Sequence, residues 1–112
     1  MSIKAAYKLN FGKIVSQGHS DFYVCNWSNE IEGSLELGEL LQTLADEESQ
    51  FFLEELNIVI VGEEHEAYYS LDQAIHVWVD FSPPNAVISD TFTISLIDLK
   101  ELIEDWIAFV KQ

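Results

Sequence analysis

Three groups of side chains in this chain are of types that could do chemistry. Cys25 could form a thiol–imidazole pair with one of the three histidines, which are His19, His65 and His76. The run Glu-Glu-His-Glu at residues 63–66 holds side chains that can bind a metal ion. The many carboxylates could supply the acid and base pair that glycoside hydrolysis needs.

Each of these groups has a plainer interpretation. A single cysteine between Val24 and Asn26, in an aromatic and β-rich segment, is typical of a small core residue. Residues 63–66 lack both the His-Glu-x-x-His spacing of a zinc helix and the pattern of a calcium loop, so they predict a solvated turn. Carboxylates are so abundant that a chance pair is uninformative, and the sequence has no glycine-rich phosphate loop or Gly-x-Ser-x-Gly motif. We therefore predict a non-enzyme with no metal or cofactor.

The placement of charge is the most informative property of the sequence. The chain has a formal net charge of −15, with five lysines and no arginine. Residues 14–99 contain no lysine or arginine, yet they hold seventeen of the twenty carboxylates. Direct binding to nucleic acid or to an anionic membrane is disfavoured, because phosphate binding needs cationic side chains. Much of the negative field must face outward, which suits a basic protein partner.

Length and composition predict one globular domain over residues 1–112. The hydrophobic fraction of 48% argues against disorder despite the high charge. A lone cysteine forms no internal disulfide, and we find no signal peptide and no apolar run long enough to span a membrane. The expected compartment is the cytoplasm.

The first half of the sequence predicts a hairpin followed by a helix. Alternation over residues 3–11 predicts a first strand, and residues 21–27 predict a second strand paired with it. Ser34 is the predicted N-cap of a helix. Leucines at helical spacing follow it, and the helix either continues past residue 50 or gives way to a second short helix near Asp46.

The second half predicts four strands and a final helix. Residues 58–61 are wholly apolar and predict a central strand, residues 67–70 an edge strand, and residues 75–81 and 87–92 two more strands separated by a turn at Pro83 and Pro84. Ser95 as N-cap, with Asp98 three residues later, predicts the last helix. The fold expected is α+β, a mostly antiparallel sheet of about five to six strands with two main helices packed on one face.

The acidic clusters define the candidate partner-binding residues. The steering carboxylates are predicted on the outer face of the first main helix and at the turn over residues 63–66, and aromatic side chains beside acidic residues are the predicted anchors. These residues are Glu36, Glu39, Glu47, Glu63, Glu64, Glu66, Trp27, Tyr69 and Trp78.

A small acidic α+β domain without catalytic motifs resembles the bacterial immunity proteins of contact-dependent inhibition, polymorphic-toxin and colicin systems. These proteins neutralise the nuclease or other toxin domain made by the same cell. The resemblance covers the whole chain and concerns size, acidity and the lack of catalytic motifs. It implies a cognate basic toxin, covered at its active or substrate-binding surface. Immunity proteins span several folds, so no binding residue is carried over by position.

Other functions stay open at this point. A phage or plasmid nucleic-acid mimic would display an elongated double row of carboxylates to a DNA-binding enzyme. A small regulatory domain with incidental acidity would show a neutral apolar patch larger than the acidic one. A halophilic source would also explain the acid excess, and the sequence does not decide between a monomer and a weak dimer.

Overall fold

The computed structural model describes residues 2–15, 18, 22–44, 46–62, 68–70 and 77–111. Over these residues the chain forms four helices and six strands. In chain order they are α1 (Ile3–Ala6), β1 (Asn10–Ile14), β2 (Phe22–Asn26), α2 (Ser34–Thr43), α3 (Asp46–Ile60), β3 (Tyr68–Ser70), β4 (Trp78–Ser82), β5 (Asn85–Ile88), β6 (Phe92–Ser95) and α4 (Leu96–Val110).

The strands of the described residues form two separate antiparallel sheets. β1 pairs with β2, and the second sheet has the order β3-β4-β5-β6. The α+β class is therefore confirmed, but the single sheet of five to six strands with two main helices is wrong. Residues 58–61, predicted as the central strand, are helical or follow the helix end. No strand at that position joins the hairpin to the other sheet.

The N-terminal segment differs from the strand predicted over residues 3–11. Ser2 caps α1, and its Oγ accepts a hydrogen bond from the Ala5 amide at 3.1 Å. The first amide of α1, that of Ile3, donates to Glu101 Oε2 at 2.8 Å. Lys8, at φ 52°, reverses the chain before β1 begins. The predicted hairpin is confirmed in its described part, with Phe11 opposite Cys25.

Helix α3 replaces the strand predicted over residues 58–61. The buried side chains Phe52, Leu56 and Val59 recur at helical spacing, and the Val61 amide still donates to the Asn57 carbonyl at 3.1 Å. A short apolar run is compatible with a buried strand or a buried helical turn, and here the preceding helical pattern continues through it. The alternative start near Asp46 is confirmed, although the helix has 15 residues and is not short.

The strand predicted over residues 87–92 is wrong because a turn divides it. Ser89 and Asp90 both have positive φ, 51° and 61°, which is the conformation of a tight hairpin turn. β5 and β6 therefore lie side by side, with Val87 opposite Thr93. The turn at Pro83 and Pro84 is confirmed between β4 and β5.

The other two predicted strands are confirmed where the structure describes them. β3 is an edge strand over Tyr68–Ser70, and residue 67 lies outside the described residues. β4 covers Trp78–Ser82, whereas residues 75 and 76 lie outside the described residues.

Helix α4 forms as predicted and supplies much of the core. Ser95 Oγ accepts from the Asp98 amide at 3.1 Å. An apolar stripe at helical spacing is buried along its whole length, over Leu99, Leu102, Ile103, Trp106 and Val110. The indole of Trp106 donates to the Leu44 carbonyl at 2.8 Å, so α4 also fixes the chain between α2 and α3. None of the described helices is long and apolar enough to cross a membrane.

The ring of Phe92, the first residue of β6, packs directly on the backbone of Gly33. The φ of Gly33 is +88°, and a Cβ added there would overlap the Phe92 ring. Gly62 has a similar φ of +83°, but no atom lies within 4 Å of the corresponding Cβ position.

We expect Gly33→Ala to lower the free energy of unfolding by about 2–5 kcal/mol, the sum of a left-handed backbone penalty and overpacking. The matched control Gly62→Ala shares the backbone penalty alone and should cost about 1–2 kcal/mol. Urea unfolding followed by circular dichroism measures both. Equal costs for the two variants would contradict the close packing of Phe92 on Gly33.

Candidate partner-binding surface

Helix α2 presents one buried face and one acidic face. Leu37, Leu40 and Leu41 are fully buried, so the opposite side of the helix faces outward. That side carries Glu36 and Glu39, which are partly exposed. Leu35 lies beside them and is 40% exposed. Helical spacing thus places an apolar side chain and two carboxylates on one surface.

The loop before α2 is held by the buried hydroxyl of Ser34. Its Oγ donates to the Tyr7 carbonyl at 2.7 Å and accepts from the Ser28 amide at 2.9 Å. Ser34 is therefore not the N-cap that the sequence predicts. The N-cap is Gly33, without a side-chain cap bond, because the Ser34 hydroxyl is used to join the loop to the end of α1.

The hairpin turn between β5 and β6 adds to the acidic side of α2. Thr91 Oγ1 donates to Glu36 Oε2 at 2.8 Å. Asp90, directly before Thr91, is exposed. The turn thereby orients the Glu36 carboxylate and brings a second carboxylate to the same end of α2.

Two further carboxylates act on Tyr7, at the end of α1. Burial raises the pKa of the Tyr7 hydroxyl, and the negative charges of Asp98 and Glu32 raise that pKa further. Asp98 belongs to the first turn of α4 and Glu32 to the loop before α2. The fold therefore brings carboxylates of distant segments to the region where α2 and α4 begin.

Trp27 lies across α2 at Gly38. A Cβ added to Gly38 would be 2.6 Å from Trp27 Cε3, so the absence of a side chain lets the indole pack on the helix. Trp27 is still 39% exposed. Gln42, one turn further along α2, binds the backbone of β2: its Oε1 accepts from the Cys25 amide at 2.7 Å and its Nε2 donates to the Tyr23 carbonyl at 3.1 Å. These bonds fix the hairpin, and with it Trp27, against α2.

We call this region the α2 surface. Its residues lie on the outward side of α2, pack on the helix at Gly38 or adjoin its first turn, and they are Trp27, Glu32, Leu35, Glu36, Glu39, Asp90, Thr91 and Asp98.

Of the predicted binding residues, Glu36 and Glu39 lie on the outward side of α2, and Trp27 packs on the same helix at Gly38, two residues from Glu36 and so on a different flank. Trp78 does not lie on the α2 surface, because it alternates with the buried Val79 on β4 and so faces the opposite side of the sheet from the core.

The other predicted binding residues have no described side chain. Glu47 falls in α3 and Tyr69 in β3. Glu63, Glu64 and Glu66 lie outside the described residues. Their assignment to a binding surface stays a prediction.

The sequence reasoning left Leu35, Asp90 and Asp98 out of the candidate binding residues. Leu35 was recoverable, since it falls outside the helical spacing of the buried leucines. Asp90 was hidden in a segment interpreted as a strand. Asp98 was interpreted as part of a helix cap. Only the packing of α4 against α1 shows that its carboxylate also acts on Tyr7.

Two lysines are placed by contacts with aromatic rings of the β1–β2 hairpin. Lys4 Nζ is 4.5 Å from the centre of the Phe11 ring, and Lys13 Nζ is 5.9 Å from that of Tyr23. Both rings belong to the β1–β2 hairpin, whose aromatic side chains pack on Trp106 and Phe109 near the end of α4. The two positive charges are thereby engaged by ring faces.

The groups considered for catalysis are placed as follows. Cys25 is buried, as predicted for a core residue, and its burial raises the pKa of the thiol to about 12 although Lys4 opposes the shift. His19, His65 and His76 lie outside the described residues. Within the described part of the chain, no three or more acidic, histidine or cysteine side chains form a group that could hold a metal ion.

Comparison with known proteins adds no assignment. The chain matches no protein-family model, no curated protein and no solved structure.

The contact of Trp27 with Gly38 gives a double-mutant test. Gly38→Ala should destabilise the protein by about 1–3 kcal/mol, because the new methyl group displaces the indole. In a Trp27→Ala background the same change should be neutral or stabilise by up to about 1 kcal/mol, since alanine is the better helix former. Thermal and urea unfolding of the four proteins measure the coupling. A coupling free energy near zero would show that Trp27 does not pack on Gly38.

The buried thiol gives a pH test. A thiol reagent at pH 8 should label Cys25 rapidly in urea and hardly at all in the folded protein, because the folded thiol stays protonated. Below about pH 8.5 the thiol is protonated in both states, so it does not change the free energy of unfolding. Between there and pH 12 the free energy of unfolding should fall by about 1.4 kcal/mol per pH unit, because the thiol ionises in the unfolded chain but not in the folded one. Cys25→Ala should lack this part of the decline. An identical pH profile in that variant would contradict the burial effect.

Proposed function

We propose that this chain binds a basic protein partner through the α2 surface and acts as an immunity-type inhibitor of a basic toxin domain, for which a nuclease is the best fit. One observation carries the proposal. Carboxylates from the loop before α2, from α2 itself and from the turn at Asp90 lie on or beside the outward side of α2, which also carries the exposed side chain of Leu35. The partly exposed Trp27 packs on the same helix at Gly38. Residues 14–99 supply no lysine or arginine to neutralise them.

The mechanism follows from the two kinds of side chain on the α2 surface. A nuclease presents a basic groove to the nucleic-acid backbone, and carboxylates complementary to that groove would occupy it and exclude the substrate. Such complementarity raises association rates towards roughly 10⁸ M⁻¹s⁻¹ at low salt. Aromatic and aliphatic side chains, here Trp27 and Leu35, then slow dissociation by burying apolar area in the complex.

Inhibition by coverage requires no catalytic group in the inhibitor, in keeping with a non-enzyme that needs no cofactor. An inhibitor that protects the cell making the toxin would act in the cytoplasm. A nucleic-acid mimic would need an elongated double row of carboxylates. The carboxylates around α2 lie instead about its first turns and the adjoining hairpin turn, which supports a compact contact patch.

Charge reversal tests the role of the α2 surface. We expect Glu36→Lys with Glu39→Lys to slow association with the cognate basic domain about tenfold or more at low salt, and to reduce rescue of growth when the two are co-expressed. The association rate is measured by surface plasmon resonance at several salt concentrations. The candidate partner is the basic domain recovered by native pull-down from the source cell or encoded next to this chain.

The matched control reverses two exposed glutamates on α3, Glu48→Lys with Glu54→Lys, and changes net charge by the same amount. It should slow association far less. Equal losses for both variants would assign the effect to net charge rather than to the α2 surface. Association that is insensitive to salt, or a pull-down without a basic protein, would refute the proposal.

A further inference from the structure

An apolar groove of about 390 Å³ lies where the end of α3 meets the start of α4. Its volume falls within the range of about 300–1,000 Å³ that ligand sites occupy. Ile97 stands at its side and is 63% exposed, and Val61, directly after the lining residue Ile60, is 68% exposed. The side chains that line it are all apolar and belong to Val59, Ile60, Pro83, Pro84, Leu96 and Ile97, and polar backbone groups supply the rest of the lining.

The helix that forms one wall of this groove is predominantly acidic beyond it. Asp98 follows Ile97 directly, and Glu101 lies one helical turn further on, on the same side as Ile97. Lys100 is the one positive charge of α4 before its end, and it stands among Asp98, Glu101, Glu104 and Asp105. Asp98 also belongs to the α2 surface, since it acts with Glu32 on the Tyr7 hydroxyl. The groove therefore lies beside the carboxylates at the start of α4.

The carboxylates at the start of α4 favour one of the three kinds of occupant that an apolar groove could bind. A second copy of the chain would bring another −15 charges to an acidic surface, which opposes self-association. A small apolar ligand would fill the groove but would gain nothing from the carboxylates around it. A segment with a large apolar side chain between lysines or arginines satisfies both the groove and the carboxylates.

We infer that the groove between α3 and α4 receives a large apolar side chain from a lysine- or arginine-rich segment of the protein partner. The inference rests on the proposed function, which supplies the positive charge of the partner. It adds a second contact, in which the groove recognises an apolar side chain. Charge on the α2 surface brings the segment to this end of the molecule, and the groove selects segments that carry an apolar side chain.

Three fluorescently labelled peptides of equal length test the inference with the full chain. One alternates pairs of lysine and leucine, the second has glutamine in place of leucine, and the third has glutamate in place of lysine. Fluorescence anisotropy should show the lysine–leucine peptide binding at least tenfold more tightly than either of the others. In nuclear magnetic resonance spectra its addition should shift the amide signals of Ile60, Leu96 and Ile97.

Ile97→Gln should weaken binding of the lysine–leucine peptide about tenfold and leave the lysine–glutamine peptide unaffected. The matched control is Phe51→Gln, which removes an exposed apolar side chain that does not line the groove, and it should change neither. Because Ile97 and Phe51 are both more than half exposed, both variants should keep the unfolding midpoint of the original chain.

Four outcomes would overturn the inference. Equal binding of the lysine–leucine and lysine–glutamine peptides would remove the groove contact and leave the proposed function standing. Equal binding of the lysine–leucine and glutamate–leucine peptides would remove the basic partner and with it both proposals. Groove amide signals that shift on concentrating the protein alone would identify a second copy as the occupant. Unchanged binding by Ile97→Gln would place the contact elsewhere.

Discussion

The buried hydroxyl of Ser34 is the interaction on which the acidic end of the molecule depends. It is fully inaccessible to solvent, and both of its hydrogen bonds reach backbone groups outside α2, at Tyr7 and Ser28. A buried polar group left without partners is costly, so the loop before α2 and the end of α1 must stay where they satisfy it. Gly33 beside it lets the Phe92 ring approach. This pair of residues sets the position at which α2, α1 and the β5–β6 hairpin meet.

The elements that sequence reasoning recovered are those specified by neighbouring residues. Helix α4 has a serine cap and a continuous apolar stripe, so its start and its buried face follow from local pattern. The errors arose where one local pattern fits two structures. The alternation over residues 3–11 also fits a helical turn in which Ile3 and Tyr7 pack on the core, followed by a strand. The three-residue loop after Ile88 has positive φ at Ser89 and Asp90 but lacks the glycine that usually marks such a turn.

The candidate site divides in the same way. The outward placement of Glu36 and Glu39 follows from helical spacing, so the sequence was sufficient for that placement, and their role in binding stays a prediction. Asp90 joins the same region only because the β5–β6 turn places Thr91 against Glu36. The apolar groove was beyond the sequence altogether, since it forms from three segments, and one of them was interpreted as a strand. Contacts between distant segments depend on packing, which no local pattern contains.

The side chain of Gln42 bears on how strongly the folded protein resists aggregation at high concentration. Its amide occupies the outward-facing backbone groups of Tyr23 and Cys25, on the edge of β2 that does not pair with β1. An open edge of that kind recruits strands from other molecules and begins aggregation. The amide of Gln42, on α2, makes the two hydrogen bonds that a neighbouring strand would otherwise make with these backbone groups. The outer edge of β2 is thereby closed to another strand at Tyr23 and Cys25.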